Sequence, residues 1–221
     1  MSNLTPEAFV AELDERNRAR LADLAAKSAA GEPGEALGVA PLLKLALRNE
    51  LEATELAAFW MADAPELDVR LALARQCGDE AKHYRWIEER LGVLGVDLGG
   101  FDPQAPGLSP LTAYLRTLKG TEERAAAGPF TREAIAVARN EVFAAFCAER
   151  DDLATAALYR ERIQPDEQHH HELGRRLLLR YAVTEDQQAR ARAAAETTLR
   201  IADELQELAR LKAGVCRAPG C

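Results

Sequence analysis

The sequence lacks the features that mark several classes of protein. No stretch approaches the roughly 18 consecutive apolar residues that a membrane-spanning helix needs. The first residues carry neither the basic flank nor the apolar run of a signal peptide. The 4 cysteines are too few and too scattered for a disulfide framework. These absences predict a cytoplasmic protein with no membrane segment.

Basic charge is also scarce in this chain. There are 28 basic and 36 acidic residues, which gives a formal net charge of −8, and the basic residues form only short runs. A negatively charged protein repels phosphate backbones unless it carries a local basic patch. We therefore expect no nucleic-acid partner.

Aromatic residues make up only 5% of the chain, whereas Ala and Leu, which a helix orders at least cost, are abundant. A hydrophobic content of 48% with 29% charged residues is ordinary for a globular protein, and 221 residues suit one domain. The composition predicts an all-α fold. We expect a single helical domain over residues 1–213 and a flexible, Cys-containing tail over 214–221.

Capping residues, Pro and Gly positions and apolar periodicity predict where the helices lie. A Gly- and Pro-rich stretch at 31–34 ends the first helix. Thr184 caps the last one, whose apolar stripe from Ala194 to Leu208 must be covered by other elements. The predicted helices span about 5–30, 41–62, 67–91, 110–127, 131–149, 152–181 and 184–212.

The lengths of the loops predict how these helices are connected. Short turns force antiparallel neighbours, so residues 41–91 and 131–181 each form a helical hairpin. The connection between them, residues 92–128, is long enough to run the length of a bundle. Two hairpins joined by one long crossover make a four-helix bundle with residues 41–181 as its core, and the first and last helices are additions to it.

Each hairpin carries one Glu in its first helix and an Asp-Glu-x-x-His motif in its second. Residues three apart on a helix face the same way, so the Glu and the His of such a motif can bind one metal ion. Carboxylates with imidazoles suit iron or manganese. The predicted metal ligands are Glu50, Glu80 and His83 from the first hairpin and Glu141, Glu167 and His170 from the second.

The two lone Glu residues are chosen from a shared local pattern. Arg-Asn-Glu-x-x-Ala occurs once in each hairpin, with its Glu at Glu50 and Glu141, and apolar residues flank both. Glu52 and Glu55 lie toward a polar face of the same helix and are predicted to be solvated. The Glu-to-Glu separation is then 30 residues in the first hairpin and 26 in the second.

The Asp that precedes each Glu-x-x-His motif has a predicted role of its own. A metal-bound imidazole usually donates its other N–H to a carboxylate, which fixes the tautomer. We expect Asp79 to bind His170 and Asp166 to bind His83, across the bundle. Gly78 and Pro165, each two positions before a ligand Glu, predict a local adjustment of the helix there.

Other residues leave alternatives open. His171, four residues after Glu167, could replace His170 as a ligand. A buried Cys is more often a small apolar filler than a reactive group, but Cys77 and Tyr84 are close enough to Glu80 in sequence to be redox-active. Cys147 is predicted to lie in the core. Cys216 and Cys221 could form a disulfide or bind a metal ion, but in a reducing compartment free thiols are expected.

With these motifs, residues 41–181 resemble the ferritin-like di-iron carboxylate superfamily. The resemblance implies that Glu80 and Glu167 bridge two metal ions. It also implies that Glu50 with His83, and Glu141 with His170, complete the coordination of one ion each. The implied cofactor is a pair of iron ions, with Mn/Mn or Mn/Fe as alternatives.

The same resemblance implies an oxidoreductase. The first expectation is an O2-activating oxidase or oxygenase that acts on a small organic substrate with an electron donor still to be identified. The alternatives are iron storage or detoxification, as in bacterioferritin, and peroxide handling, as in rubrerythrin or manganese catalase. The expected partners are thus O2 or peroxide and the organic substrate, and the chain could form a homodimer.

Overall fold

The computed structural model describes residues 4–29 and 37–220, and within them every regular element is a helix. The predicted break at 31–34 lies outside the described residues. No helix in the described part of the chain has the length and apolar character needed to cross a membrane. The helices are α1 (Pro6–Ala29), α2 (Val39–Asp63), α3 (Leu67–Val93), α4 (Pro110–Leu115), α5 (Thr121–Ala125), α6 (Glu133–Ala148), α7 (Leu153–Leu158), α8 (Gln164–Tyr181) and α9 (Glu185–Ala213).

Side-chain caps explain where several of these helices begin. The Thr5 hydroxyl accepts a hydrogen bond from the backbone N–H of Ala8 at 3.2 Å, and Thr184 and Gln187 form a reciprocal capping box at the start of α9. At the other end of α9, Gly214 adopts a φ of 65°, which favours glycine. The all-helical prediction and the bounds predicted for the long helices are therefore confirmed to within a few residues.

Along the helices, a polar layer separates two apolar clusters. Glu50 follows Leu47 and precedes Leu56 in α2, and these two leucines belong to different buried clusters. The same order is found in α3 and α8, where buried acidic and imidazole side chains lie between buried apolar residues. The apolar clusters on the two sides contain, among others, Leu56, Trp60, Leu73, Phe130 and Leu173 on one side and Leu47, Ile87, Phe143 and Ile163 on the other.

The connection between the hairpins differs from the prediction. The single predicted helix over 110–127 is two short helices, α4 and α5, and α5 continues through a π-helical segment, Ala126–Arg132, directly into α6. The gap between the predicted helices ending at 127 and beginning at 131 is therefore absent, although Gly128 and Pro129 lie in it. Proline disrupts the regular i→i−4 hydrogen bonding, and the wider π turn holds Pro129 without ending the helix.

Glycine allows this π-helical segment to approach its neighbours closely. A Cβ at Gly174 in α8 would lie 2.3 Å from the backbone nitrogen of Phe130, and one at Gly128 would lie 2.5 Å from the ring of Trp60. Both distances are far below van der Waals contact. The backbones of α8 and the π-helical segment therefore pack against each other only because residue 174 is glycine.

A second π-helical segment, Tyr159–Ile163, joins α7 to α8 just before Pro165. The predicted adjustment of the helix near Pro165 is therefore confirmed. The adjustment predicted at Gly78 is not present, because α3 is a regular α-helix from end to end.

The last helix and the tail are both packed on the rest of the domain. In the predicted stripe of α9, Ala194 and Thr198 are buried, but Leu208 is 47% exposed, so the stripe is only partly covered. The tail was expected to be flexible, yet its carbonyl at Pro219 accepts a hydrogen bond from Asn49 Nδ2 at 3.0 Å. Its Gly220 N–H donates to Asn140 Oδ1 at 2.8 Å. Residues 214–220 are therefore part of the packed structure, and Cys221 lies outside the described residues.

The close approach at Gly174 predicts opposite effects for two glycine substitutions. Gly174→Ala should lower the free energy of unfolding by about 1–3 kcal/mol, the usual cost of overpacking. Gly78→Ala, where a Cβ would meet nothing within 4 Å, should raise it by up to about 1 kcal/mol, because alanine favours helix. Urea unfolding of both variants measures the difference. Equal stabilities would contradict the close packing of α8.

Candidate metal centre

Six acidic and imidazole side chains from four helices converge in the polar layer, and each is at most 4% exposed. They form two groups, in each of which one ligand atom per residue lies within 4.8 Å of the others. Glu80 and Glu167 belong to both groups. The first group adds Glu50 and His83, and the second adds Glu133 and His170.

The two shared carboxylates each extend one oxygen toward each imidazole. His83 Nδ1 lies 3.3 Å from Glu80 Oε2 and 4.0 Å from Glu167 Oε1. His170 Nδ1 lies 3.4 Å from Glu80 Oε1 and 3.6 Å from Glu167 Oε2. Glu50 Oε2 is 3.4 Å from His83 Nδ1. This division of the oxygens is the arrangement that a pair of bridging carboxylates requires.

Five of the six predicted ligands are in this cluster, and the sixth, Glu141, is not. Its side chain is 62% exposed and lies 3.6 Å from Arg160 on the surface. The prediction of Glu141 as a ligand is therefore wrong. Glu133, two helical turns earlier in α6, takes the expected position beside Glu167 and His170.

The distance of each Glu from its hairpin turn distinguishes Glu133 from Glu141. In the first hairpin, Glu50 and Glu80 lie 14 residues before and after the turn at 64–66. In the second, Glu133 lies 16 residues before the turn at 149–152 and Glu167 lies 15 after it, whereas Glu141 is only 8 before it. Partners in an antiparallel hairpin must be nearly equidistant from the turn, and the sequence alone contains this signal.

The Arg-Asn pattern that suggested Glu141 serves the tail and α9 instead. Asn49 and Asn140 both bind the tail, and Arg139 donates to the carbonyl of Ala202 and the side chain of Gln206 at 3.0 Å each. The similarity of the two local sequences thus reflects the shared contact of the two asparagines with the tail, and it does not extend to the two Glu residues.

Glu52 was predicted to be solvated, and it is buried. It accepts hydrogen bonds from the Ser109 hydroxyl at 2.5 Å, from the Thr112 hydroxyl, from the Ser109 backbone N–H at 2.9 Å and from Arg48 Nε at 3.0 Å. These bonds lower the pKa of Glu52 although burial alone would raise it. The carboxylate anchors the start of α4 to α2 and lies outside both ligand groups. Glu55 is the more exposed of the two predicted surface residues, and it lies 3.2 Å from Arg116.

The Nε2 atom of each imidazole, which faces away from the carboxylate cluster, contacts an Asp of the opposite motif. Asp166 Oδ2 lies 3.2 Å from His83 Nε2, and Asp79 Oδ2 lies 3.4 Å from His170 Nε2. This is the predicted crossed arrangement. With each Nε2–H donated to an Asp, Nδ1 is the ring nitrogen left to face the carboxylates and to bind a metal ion.

Three of the inward-facing atoms have no hydrogen-bond partner, although all are buried. They are Nδ1 of His83, Nδ1 of His170 and Oε2 of Glu167. An unsatisfied buried polar atom costs roughly 1–3 kcal/mol, so three of them in one place call for a further group. A metal ion bound among them would satisfy all three. The donor set therefore fits a metal ion.

The electrostatics of the centre reflect the crowding of carboxylates. Burial and neighbouring carboxylates raise the pKa of Glu50 to about 7, even though His83 lowers it. Burial also raises the pKa of Glu167, together with the charges of Glu80 and Glu133. For His83, burial acts in the opposite direction, but the nearby carboxylates of Glu50 and Glu80 raise its pKa to about 11. The cluster therefore takes up positive charge readily, as protons or as metal ions.

Gln76 and Arg132 hold Glu133 in place. Gln76 Nε2 donates to Glu133 Oε1 at 2.9 Å and lies 3.4 Å from Glu80 Oε1. Arg132, only 6% exposed, donates to the same Glu133 oxygen at 3.1 Å. Neither residue was predicted, because their roles depend on the position of Glu133.

The alternative site residues lie outside the two ligand groups. His171 Nδ1 bonds the carbonyl of Phe130 at 2.7 Å, so this residue does not replace His170. Cys77 is partly buried, and burial followed by the charge of Glu80 raises its thiol pKa. Cys147 is in the apolar core, as predicted. Tyr84 is partly buried against the same cluster, and a pairing of Cys216 with Cys221 involves a residue outside the described range.

The sequence matches no family model, no curated protein and no solved structure. The chemistry of the centre is therefore inferred from its own residues.

Because Glu133 lies in the cluster and Glu141 does not, alanine substitutions at these two positions should affect metal binding differently. Glu133→Ala removes a carboxylate at the cluster and should weaken one metal site by at least about 10–100-fold, the range for losing even an outer partner of a ligand. Glu141→Ala is the matched control on the same helix and should bind metal as the unmodified protein does. Metal titration by calorimetry measures both. Weakened binding in the Glu141 variant alone would show that Glu133 is wrongly assigned.

Proposed function

We propose that this protein binds two metal ions in a dinuclear carboxylate centre within a ferritin-like four-helix arrangement. Glu80 and Glu167 would bridge the ions. Glu50 with His83 would complete one site, and Glu133 with His170 would complete the other. The observation that carries the proposal is the set of three buried, unpartnered atoms that face the shared carboxylates.

Charge balance supports two divalent ions. Buried carboxylates are tolerated only when positive charge compensates them, and four carboxylates in one buried layer match the charge of two such ions. Carboxylate and imidazole donors together suit iron or manganese better than metals that favour thiolates. Iron is the first choice, and Mn/Mn and Mn/Fe pairs are the alternatives.

We propose further that the centre is a redox site for dioxygen or peroxide. Iron or manganese bound here would exchange electrons with the oxidant. The protein's own side chains hold the donor atoms in place, because Asp79 and Asp166 fix the imidazoles and Gln76 fixes Glu133. The apolar clusters on both sides keep bulk water away from the layer.

The space beside the centre favours a small oxidant. One cavity of about 10 Å³ adjoins it, and its lining includes Ala53, Ala57, Trp60, Gln76 and Glu133. A volume of this size holds about one water molecule. It leaves no room for an organic molecule in direct contact with these side chains, so only an oxidant of a few atoms could approach them. This favours an oxidase, an iron-oxidising protein or a peroxide-handling protein over an oxygenase of large organic substrates.

Reconstitution with metal is the direct test of the binding proposal. Protein loaded anaerobically with Fe(II) or Mn(II) should hold two ions per chain by elemental analysis. It should also melt at a higher temperature, because a ligand at 100 times its Kd stabilises the folded state by about 2.7 kcal/mol. A chelator should reverse the shift. Protein that binds neither metal under these conditions would exclude the dinuclear centre.

The redox proposal has a separate measurement. Fe(II)-loaded protein should consume O2 or hydrogen peroxide faster than the same concentration of free Fe(II), followed with an oxygen electrode and by peroxide assay. The Glu80→Ala variant lacks one of the proposed bridging carboxylates, and its rate should fall toward that of free iron. Protein that holds two iron ions and reacts with neither oxidant would leave metal binding in place and exclude the redox function.

A further inference from the structure

One lysine contacts both of the Asp residues that hold the imidazoles. Lys82, on α3 between Glu80 and His83, places Nζ 2.9 Å from Asp79 Oδ1 and 2.9 Å from Asp166 Oδ2. The second oxygen of Asp79 reaches His170, and Asp166 Oδ2 itself reaches His83. Two chains of contacts, one for each imidazole, thus meet at a single ammonium group.

The surroundings of Lys82 limit its freedom. Its side chain is 41% exposed, while those of Asp79 and Asp166 are only 15% and 22% exposed. The ammonium lies 5.1 Å from the centre of the Trp86 ring, which in turn stacks on the His83 ring at 5.8 Å. A cation over an aromatic face is attracted to it. The tryptophan therefore supports both the lysine and the imidazole to which the lysine is linked.

We propose that Lys82 is a positioning residue that couples the two metal sites. The proposal rests on the dinuclear centre proposed above. Asp79 and Asp166 reach the same nitrogen atom, so they are close enough to repel each other, and the ammonium removes that repulsion. Held by Lys82, each carboxylate keeps its imidazole in the tautomer whose Nδ1 faces the metal position. Loss of one exposed cation should then weaken both sites at once.

The two chains of contacts depend on Lys82 to different degrees. Arg75 is a second cation beside Asp79, with its Nε 3.5 Å from Oδ2. Lys82 is the closer of the two cations to Asp79, and it is the one that also reaches Asp166. Removal of Lys82 should therefore affect the His83 side more strongly than the His170 side.

Cobalt(II) titration tests the proposal, because the visible absorption of the ion reports its coordination. Lys82→Met keeps the length of the stem without the charge and should weaken cobalt binding at both sites by about 10–100-fold, the range for loss of an outer partner. Lys82→Arg keeps a cation that can bind two carboxylates and should restore most of the affinity. Lys44→Met is the matched control, since Lys44 Nζ makes a similar contact with Phe101 at 5.5 Å, and it should change nothing.

A double-mutant cycle shows whether Lys82 acts through the two Asp residues. In an Asp79→Ala/Asp166→Ala protein, adding Lys82→Met should cause no further loss of cobalt affinity. The melting temperature of each metal-free variant separates a defect in metal binding from a general loss of stability. If Lys82→Met does not fold, Lys82→Gln, which retains a polar side chain, replaces it in the cycle.

Each outcome has a definite meaning. If the unmodified protein binds two cobalt ions and Lys82→Met binds them with unchanged affinity, the coupling role is wrong and the dinuclear centre stands. If Lys82→Met still weakens binding after both Asp residues are removed, Lys82 acts in another way and the proposal is overturned. If the unmodified protein binds no cobalt, the dinuclear centre and the inference that rests on it both fail.

Discussion

The burial of four carboxylates in one layer between helices is the constraint on which the rest of the structure depends. Charged groups so far from water require compensation from partners of opposite charge, and the chain supplies part of it with Arg132 and the two imidazoles. The apolar clusters on either side of the layer stabilise the packing of the helices that carry these charges. Burial of the charged layer therefore lowers the stability of the fold, and the packing of the apolar clusters compensates for that loss. Such a combination is typical of sites retained for binding or chemistry.

Two irregular segments adapt the second half of the chain to this layer. The π-helical segment Ala126–Arg132 ends immediately before Glu133, and the second, Tyr159–Ile163, ends four residues before Glu167. A π turn adds a residue to a helical turn and so rotates every side chain that follows. The first half reaches the same layer from α2 and α3 without such a segment. The two hairpins thus bring similar side chains to the layer through different backbones, and the close packing of Gly174 against the first π-helical segment supports the second arrangement.

Periodicity and motif spacing were sufficient to predict the long helices and five of the six residues in the cluster. The Glu-x-x-His pairs are local, so three residues of separation determine that they share a helix face. Glu133 was missed because its partners are far away in sequence. The local pattern that the second hairpin shares with the first pointed to Glu141, whereas the distance from the hairpin turn points to Glu133. Glu52 was misassigned for a related reason, since its partner Ser109 lies on the crossover. The gap predicted at 128–130 is wrong because a π turn accommodates Gly128 and Pro129. That turn depends on packing against Trp60 and α8, which the local sequence does not show.

The symmetry of the two motifs extends to the clustered side chains but not to their surroundings. Each half supplies a lone Glu, a Glu shared by both groups, a His and an Asp that crosses to the other His. The position of Lys82, two residues after Glu80, is matched on α8 by His169, whose pKa is lowered by burial and by Arg75. Only one half therefore supplies the cation that both Asp residues share. The lone Glu residues also differ, since Glu133 is held by Gln76 of the first half and by its neighbour Arg132, whereas Glu50 meets an imidazole. Matched motifs in a sequence thus identify the types of side chain that cluster, while the contacts that distinguish the two groups must be found in the structure.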